Sequence, residues 1–141
     1  MKQNIILSKK SKSVSGTIQL TGSKSECNRA LIIEALSGGR VRVENISNAA
    51  DTVVLQGMLE GSETYKERPF KQFNVGPAGT AMRFLAAFFT LLDGAEIVLT
   101  GSERMKQRPI GVLVNALRAI GASIDYIESE GFPPLRIHGG F

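Results

Sequence analysis

The sequence holds a single cysteine, Cys27, and a single histidine, His138, among 141 residues. One cysteine excludes an internal disulfide and a cysteine-based zinc site, and one histidine argues against a multi-histidine metal centre. Tryptophan is absent and only two tyrosines occur, so the aromatic platforms on which single-stranded nucleic acid stacks are scarce. Of the seven phenylalanines, Phe84, Phe88 and Phe89 sit in apolar runs and read as core. No apolar run approaches the ~20 residues of a membrane span; the most apolar stretch, Met82–Leu92, is interrupted by Arg83 and Thr90. The N-terminus shows no apolar stretch followed by a small-residue cleavage site, so no signal peptide is expected and cytoplasm is the default compartment. Paired carboxylates, a Ser/His/Asp set and a metal cluster are all missing from the pattern.

What is present is an ordinary globular composition, 43% hydrophobic and 21% charged, at a length that suits one domain and buries roughly 68% of its unfolded surface. The net charge is +4 and the pI about 9.5. A modest positive excess suits anionic small molecules or nucleic acid, and the thin aromatic content tilts the balance toward anionic metabolites.

Residues 1–22 read as β: Ile5-Ile6-Leu7 is a short apolar run, and Val14–Leu20 alternates in part. The basic Lys9-Lys10-Ser11-Lys12 between them reads as a solvated turn. A helix is predicted after Gly22-Ser23-Lys24-Ser25, with Ser23 or Ser25 as cap and Glu26 at the positive end of the dipole. It runs to Ser37 and stops at Gly38-Gly39. Arg40–Asn45 alternates as a half-wet strand. A second helix is predicted from about Asp51, as cap, to Gly61, and residues 61–73 are polar and the least ordered in pattern. Beyond them the glycine turn Gly76–Thr80 opens a helix over Thr80–Leu92, followed by a strand over Ala95–Leu99. A helix over Arg108–Gly121 follows, with Pro109 in its first turn, then short strands Ser123–Ile127 and Leu135–Ile137.

An internal repeat underlies this order. Gly22 and Gly76 lie 54 residues apart, Arg29 and Arg83 each follow their glycine by seven, and Leu31 and Leu85 by nine. Each unit reads turn–helix–strand–helix, the mark of a repeat architecture in the α/β class. The chain ends on Gly139-Gly140-Phe141 just after a strand, which points to a sequence cut short.

Three segments carry candidate chemistry, each against an ordinary alternative. Gly22–Ser25 opening a helix offers free N–H groups to a phosphate or carboxylate; Lys24 adds charge, Ser25 a hydroxyl, and Arg29 a guanidinium one turn on. The alternative is a plain capped helix, since the spacing is not that of a P-loop. Gly76–Thr80 repeats the design: Gly79 permits close approach of a ligand and Thr80 can cap or donate. Arg83, one turn in, reaches a ligand or, as the favoured reading, pairs with a carboxylate to hold the fold. Thr100–Pro109 sets Arg104, Lys106 and Arg108 within five residues, at a strand end where α/β proteins place ligand groups; a solvated loop is the alternative. Arg108 at a helix start opposes the dipole and calls for an anion. Asp51 is first a cap and second an acid or base. Cys27 and His138 read as structural, and Glu128 and Glu130 as solvated.

Together these segments resemble a known family. Gly22–Leu31 resembles the G-S-K-S-x-x-x-R-A-L segment of 3-phosphoshikimate 1-carboxyvinyltransferases (EPSP synthases). Ala78–Arg83 is similar to their A-G-T-A-M-R segment, and Leu99–Ile110 to their L-T-G-x-x-R-M-x-x-R-P-I segment. Three long motifs in order run through nearly all of the chain and match the first part of a much longer enzyme.

The resemblance implies a partial inside-out α/β barrel of βαβαββ units. Residues 1–21 would form a strand segment belonging to the other domain, and 22–141 the first, incomplete repeat units of the barrel domain. It implies transfer of the enolpyruvyl group of phosphoenolpyruvate to the 5-hydroxyl of shikimate 3-phosphate with release of phosphate, in the shikimate pathway to aromatic amino acids, without metal or organic cofactor. Lys24, Ser25 and Arg29 would hold shikimate 3-phosphate; Lys24, Gly79 and Arg108 would hold phosphoenolpyruvate, where glyphosate competes; Asp51 and Thr80 are further candidates. The sequence departs from the family at Pro77, where Asn is usual, and at Phe84, where proline is common. The short stretch from Glu60 to Phe73 leaves the first repeat unit without strands. The family's proton-transferring groups lie beyond Phe141, so the chain alone is expected to be inactive and, with apolar surface uncovered, to self-associate. No nucleic acid or membrane partner is expected. The competing readings are a nucleotide-sugar enolpyruvyl transferase, whose G-A-K-N turn is not matched by Ser23 and Ser25, and a non-catalytic module that binds anions or nucleic acid.

Overall fold

In a computed structural model the described residues are 5–140, except 9, 12, 61, 63, 64 and 66–69. Two helices come first, α1 (Lys24–Leu36) and α2 (Ala50–Leu59). A complete βαβαββ unit follows: β1 (Phe70–Asn74), α3 (Gly79–Phe89), β2 (Glu96–Thr100), the short α4 (Glu103–Lys106), α5 (Gly111–Ala119), β3 (Ser123–Tyr126) and β4 (Leu135–His138). The sheet order is β1-β2-β4-β3. β1 and β2 are parallel, Phe73 opposite Leu99, as a crossover through α3 requires. β4 is antiparallel to both β2 and β3.

The helices lie on one face of this sheet. Ile97 and Leu99 point into the core, and Val98 and Thr100 are also buried, as suits a strand flanked by β1 and β4. β4 instead alternates, with Leu135 and Ile137 inward and Arg136 and His138 on the outer face. There Arg136 meets Glu96 at 2.6 Å and His138 meets Asp125 at 3.7 Å. The core is built on α3, whose Leu85, Ala86 and Phe89 are fully enclosed, each large side chain contributing ~1.5–3 kcal/mol by burial. Phe89 stacks on Phe73 at 5.1 Å between ring centroids, and Tyr65 leans on both. α1 packs on α2, and both on α3.

Several sequence expectations change. Residues 5–22 form no strand among those described, and Ile5, Ile6, Leu7, Val14, Ile18 and Leu20 are exposed; the basic run between them lies partly outside the described residues. Arg40–Asn45 alternates like a strand but is not one. Its N–H groups are taken by α1 side chains, Val41 by Ser37 Oγ and Val43 by Glu34 Oε1, both at 3.0 Å. A strand needs a ladder neighbour, and this segment has none among the described residues. Among the described residues the repeat is therefore one of helices, with strands only in its second unit. Conversely β1 falls in the stretch that read as least ordered. Its inward position Lys71 lays its ammonium 4.0 Å from the centre of the Tyr65 ring, so a charged residue occupies an apolar place.

Helix starts also shift. Ser23 occupies the N-cap of α1 but its side chain makes no capping bond, and Ser25 lies inside the first turn. Ala49, not Asp51, is the N-cap of α2. Arg108 and Pro109 precede α5 rather than begin it: the residue before a proline is disfavoured in α conformation, and the Arg108 N–H instead donates to Met105 at the end of α4.

Candidate functional site

The parallel strands β1 and β2 deliver two loops to the same end of the sheet, 75–78 before α3 and 101–102 before α4. The loops are tied together there: Val75 N–H donates to Thr100 O at 2.9 Å and Ser102 N–H to Gly76 O at 3.0 Å. Gly101 is the point of closest approach, since a Cβ there would stand 2.7 Å from Gly76 O and 2.6 Å from Met105 Cγ. Only glycine allows the loops to meet. Carboxyl ends of parallel strands are where α/β proteins bind ligands.

Across this junction the structure brings Gly79 and Arg108 together. A Cβ on Gly79 would stand 2.8 Å from Cζ and Nη2 of Arg108, so the guanidinium lies against the first residue of α3. That helix has Ala78 as N-cap, no side-chain cap and no acid in its first turn. Thr80, expected as a cap or donor, is the second helical residue and caps nothing. A cation beside the positive end of a helix is unfavourable by itself, and an anion shared between them resolves the conflict. This is the electrostatic argument made from sequence, moved from α5 to α3.

Among the described residues Arg83 has no carboxylate partner. It donates to Gly79 O at 3.2 Å and to Pro109 O at 3.0 Å, holding the start of α3 against the segment after Arg108. Of the cations in the loop, Lys106 is engaged by Glu128 at 2.9 Å and Glu103 at 3.5 Å. The hydrogen bond that its ammonium donates to Glu128 leads in raising its pKa above 10.5. Glu128 and Glu130 are thus not free acids, Glu130 lying 3.9 Å from Arg118. Arg104 joins Arg108, Pro77, Ser102 and Met105 around a pocket of about 450 Å³.

A second cluster stands at the start of α1. Lys24 lies 3.8 Å from Asp51 in the first turn of α2, which ties the two helix starts. Arg29 donates to Ser25 O at 2.9 Å, so these two candidates are joined through the backbone of Ser25, and both side chains are exposed. Gly22 is needed where it stands, because a Cβ would meet Asn45 O and, at 2.8 Å, Cys27 Sγ. Cys27 is buried and its sulfur accepts from Ser47 N–H at 3.3 Å, a structural place. Arg29 and Arg83, at the same offset in the repeat, both line a groove of about 460 Å³ walled by Ile32, Phe84 and Phe88. The structure thus assembles the candidates as two cationic clusters, Lys24/Ser25/Arg29/Asp51 and Gly79/Arg108.

The chain is a two-layer α/β unit with glycine-opened helices and with arginines in the segment that follows the carboxyl end of a parallel strand. A family model described as EPSP synthase (3-phosphoshikimate 1-carboxyvinyltransferase) matches residues 8–141, and the chain belongs to that family. Among its relatives, 3-phosphoshikimate 1-carboxyvinyltransferase of Bacteroides fragilis is 50% identical over 127 residues, 89% of this chain and 29% of that protein. The Pectobacterium atrosepticum protein of the same name is 45% identical over 150 aligned residues, 92% of this chain and 34% of that one. The chain thus spans about a third of the length of these relatives. The structure of EPSP synthase from Acinetobacter baumannii superimposes with a TM-score of 0.71 at 22% identity, over 89% of this chain and 32% of that one, which shows the shared fold.

Proposed function

We propose that this chain is the substrate-clamping part of a 3-phosphoshikimate 1-carboxyvinyltransferase. The observation that carries the reading is the guanidinium of Arg108 laid against Gly79 at the uncapped start of α3, in a member of that family. Phosphoenolpyruvate is a small polyanion, and its phosphate or carboxylate suits a guanidinium fork beside free helix N–H groups. Lys24, Ser25 and Arg29 supply a second set of donors for shikimate 3-phosphate, with Lys24 reaching phosphoenolpyruvate as well, and Asp51 orients Lys24.

In the reaction the 5-hydroxyl of shikimate 3-phosphate adds to the enol carbon of phosphoenolpyruvate while the methylene carbon gains a proton. Phosphate then leaves as that proton is lost and the enolpyruvyl ether forms. This chain's contribution is to hold both anions in register and to stabilise the charge that gathers on the departing phosphate. The pocket at Arg108 is lined by Pro77, Ser102, Arg104, Met105 and Arg108; none of these is a carboxylate or histidine suited to move the two protons. On this reading the 141-residue chain binds without turnover, the proton-transferring groups of the family lying in the part of the enzyme that it does not match.

The test is calorimetric titration of the chain with shikimate 3-phosphate, with and without phosphoenolpyruvate, alongside Arg29→Ala and a phosphate-release assay. Binding that is lost in Arg29→Ala, with no phosphate released, is the expected result. Absence of binding up to about 10 mM, an affinity below ~3 kcal/mol, refutes the clamp in this chain.

A further inference from the structure

The pocket beside Gly79 holds more positive charge than the proposed substrate contacts use. Arg104 lines it together with Arg108, Ser102, Pro77 and Met105. Arg104 lies in the four-residue α4 and Arg108 follows just after its C-cap Gln107, so both arginines reach the same pocket wall. Other cations nearby are matched: Lys106 by Glu128 and Glu103, Arg118 by Glu130, Arg136 by Glu96, and Arg83 by two carbonyls. Among the described residues neither Arg104 nor Arg108 has a carboxylate within ion-pair distance, and no acid lines the pocket. Two like charges facing one cavity repel unless an anion stands between them.

The frame around them is rigid. Met105 is 1% exposed, Ser102 N–H is bound to Gly76 O and Lys106 N–H to Ser102 O, both at 3.0 Å. Ser102 Oγ accepts from Met105 N–H at 3.3 Å, which leaves its hydroxyl hydrogen free to donate. Arg104 itself makes no bond that this frame requires, so its retention in the pocket wall is not explained by folding.

We propose that Arg104 is a second guanidinium of this pocket and that Arg104, Arg108 and the Ser102 hydroxyl together grip a phosphate dianion. This rests on the reading of Arg108 given above and extends it to a residue with no assigned role. One phosphate chemistry has two sources here, the phosphate of phosphoenolpyruvate before reaction and inorganic phosphate after it. Two forks around one dianion grip its oxygens directionally, which a lysine in place of either cannot do.

The experiment titrates the full 141-residue chain with phosphoenolpyruvate and, separately, with inorganic phosphate, following arginine Nε–Hε signals by NMR. Arg104→Ala, Arg104→Lys and Arg108→Ala are compared, with shikimate 3-phosphate as a third arm. Arg104→Ala is expected to weaken phosphate and phosphoenolpyruvate about tenfold, as loss of one charge-assisted contact does. Arg104→Lys is expected to recover only part of this, with shikimate 3-phosphate binding unchanged. A response to phosphoenolpyruvate alone identifies the substrate as the source; a response to both identifies the shared phosphate. Wild-type affinity in Arg104→Ala, with Arg108→Ala impaired, overturns the role of Arg104 and leaves the proposed function standing. Wild-type affinity in both variants, or no response of the unaltered chain up to about 50 mM phosphate, overturns the pocket itself. In that outcome the shikimate 3-phosphate arm still reports on Lys24, Ser25 and Arg29.

Discussion

Replacing Gly79 with alanine separates holding the fold from holding the anion. Gly79 is the first residue of α3 and is not in the left-handed region, so alanine fits its backbone and gains up to ~1 kcal/mol in helix propensity and unfolded-state entropy. Its new methyl would stand 2.8 Å from Cζ and Nη2 of Arg108, too close to remain. The obstacle is the end of a flexible, exposed side chain, so Arg108 swings away at little cost. Stability should hold or rise, with the melting temperature up by 0 to about 3 °C for a chain of this size. Affinity for phosphoenolpyruvate should fall by roughly 10-fold or more, since a hydrogen bond to a charged group is worth about 1.5–3 kcal/mol. Gly101→Ala is the contrast: its methyl would lie 2.7 Å from the backbone oxygen of Gly76, which cannot swing away, so the melting temperature should drop by about 3–8 °C for an overpacking cost of ~1–3 kcal/mol. The assay is calorimetric titration paired with thermal melting of Gly79→Ala, Arg108→Ala and the double variant. If Gly79 acts by leaving room for Arg108, the double variant binds no worse than Arg108→Ala alone. Additive losses, or unchanged affinity in Gly79→Ala, would refute the reasoning.

Arg83→Met keeps the stem but removes the hydrogen bonds to Gly79 O and Pro109 O; urea unfolding should show a loss of about 1–3 kcal/mol. The Thr52 hydroxyl is fully buried with no partner among the described residues, so Thr52→Val should leave stability unchanged or raise it by ~1 kcal/mol. A loss of that size in denaturant melts would reveal a bound partner such as a water. Burial raises the Tyr65 pKa above 10.0, so the unfolded chain ionises this phenol first and folding stability should decline as pH climbs past 10. Lys106, also raised, pushes in the same direction, its ion pairs being lost as it deprotonates. Tyr65→Phe should start about 1 kcal/mol less stable at pH 7, having lost the bond to Met58 O at 2.9 Å. Its decline above pH 10 should then be shallower in pH-dependent melting curves.

Much of this protein was legible from residue order, because local chemistry decided it. The α/β class, α1, α2, α3, β2, the β3–β4 pair and the three motifs that carry the family all follow from periodicity, glycine stops and short-range spacing. Gly38 and Gly39 end α1 with positive φ, as glycine after a helix does. What local chemistry could not decide was anything that needs a neighbour. Arg40–Asn45 carries the clearer strand alternation and Phe70–Asn74 falls largely in the stretch that reads as least ordered, yet among the described residues only the second lies beside β2 and becomes a strand, since a ladder takes two chains. The place of Lys71 in that polar stretch is set by the Tyr65 ring, 4.0 Å from its ammonium. Arg83 reads as a ligand or a carboxylate partner until two carbonyls are seen to claim it. The pairing of Gly79 with Arg108, 29 residues apart in sequence, exists because parallel strands bring their carboxyl ends to one edge. Sequence determined which residues have the chemistry to be candidates for holding an anion; the meeting of two loops decided that Gly79 and Arg108 lie against one another.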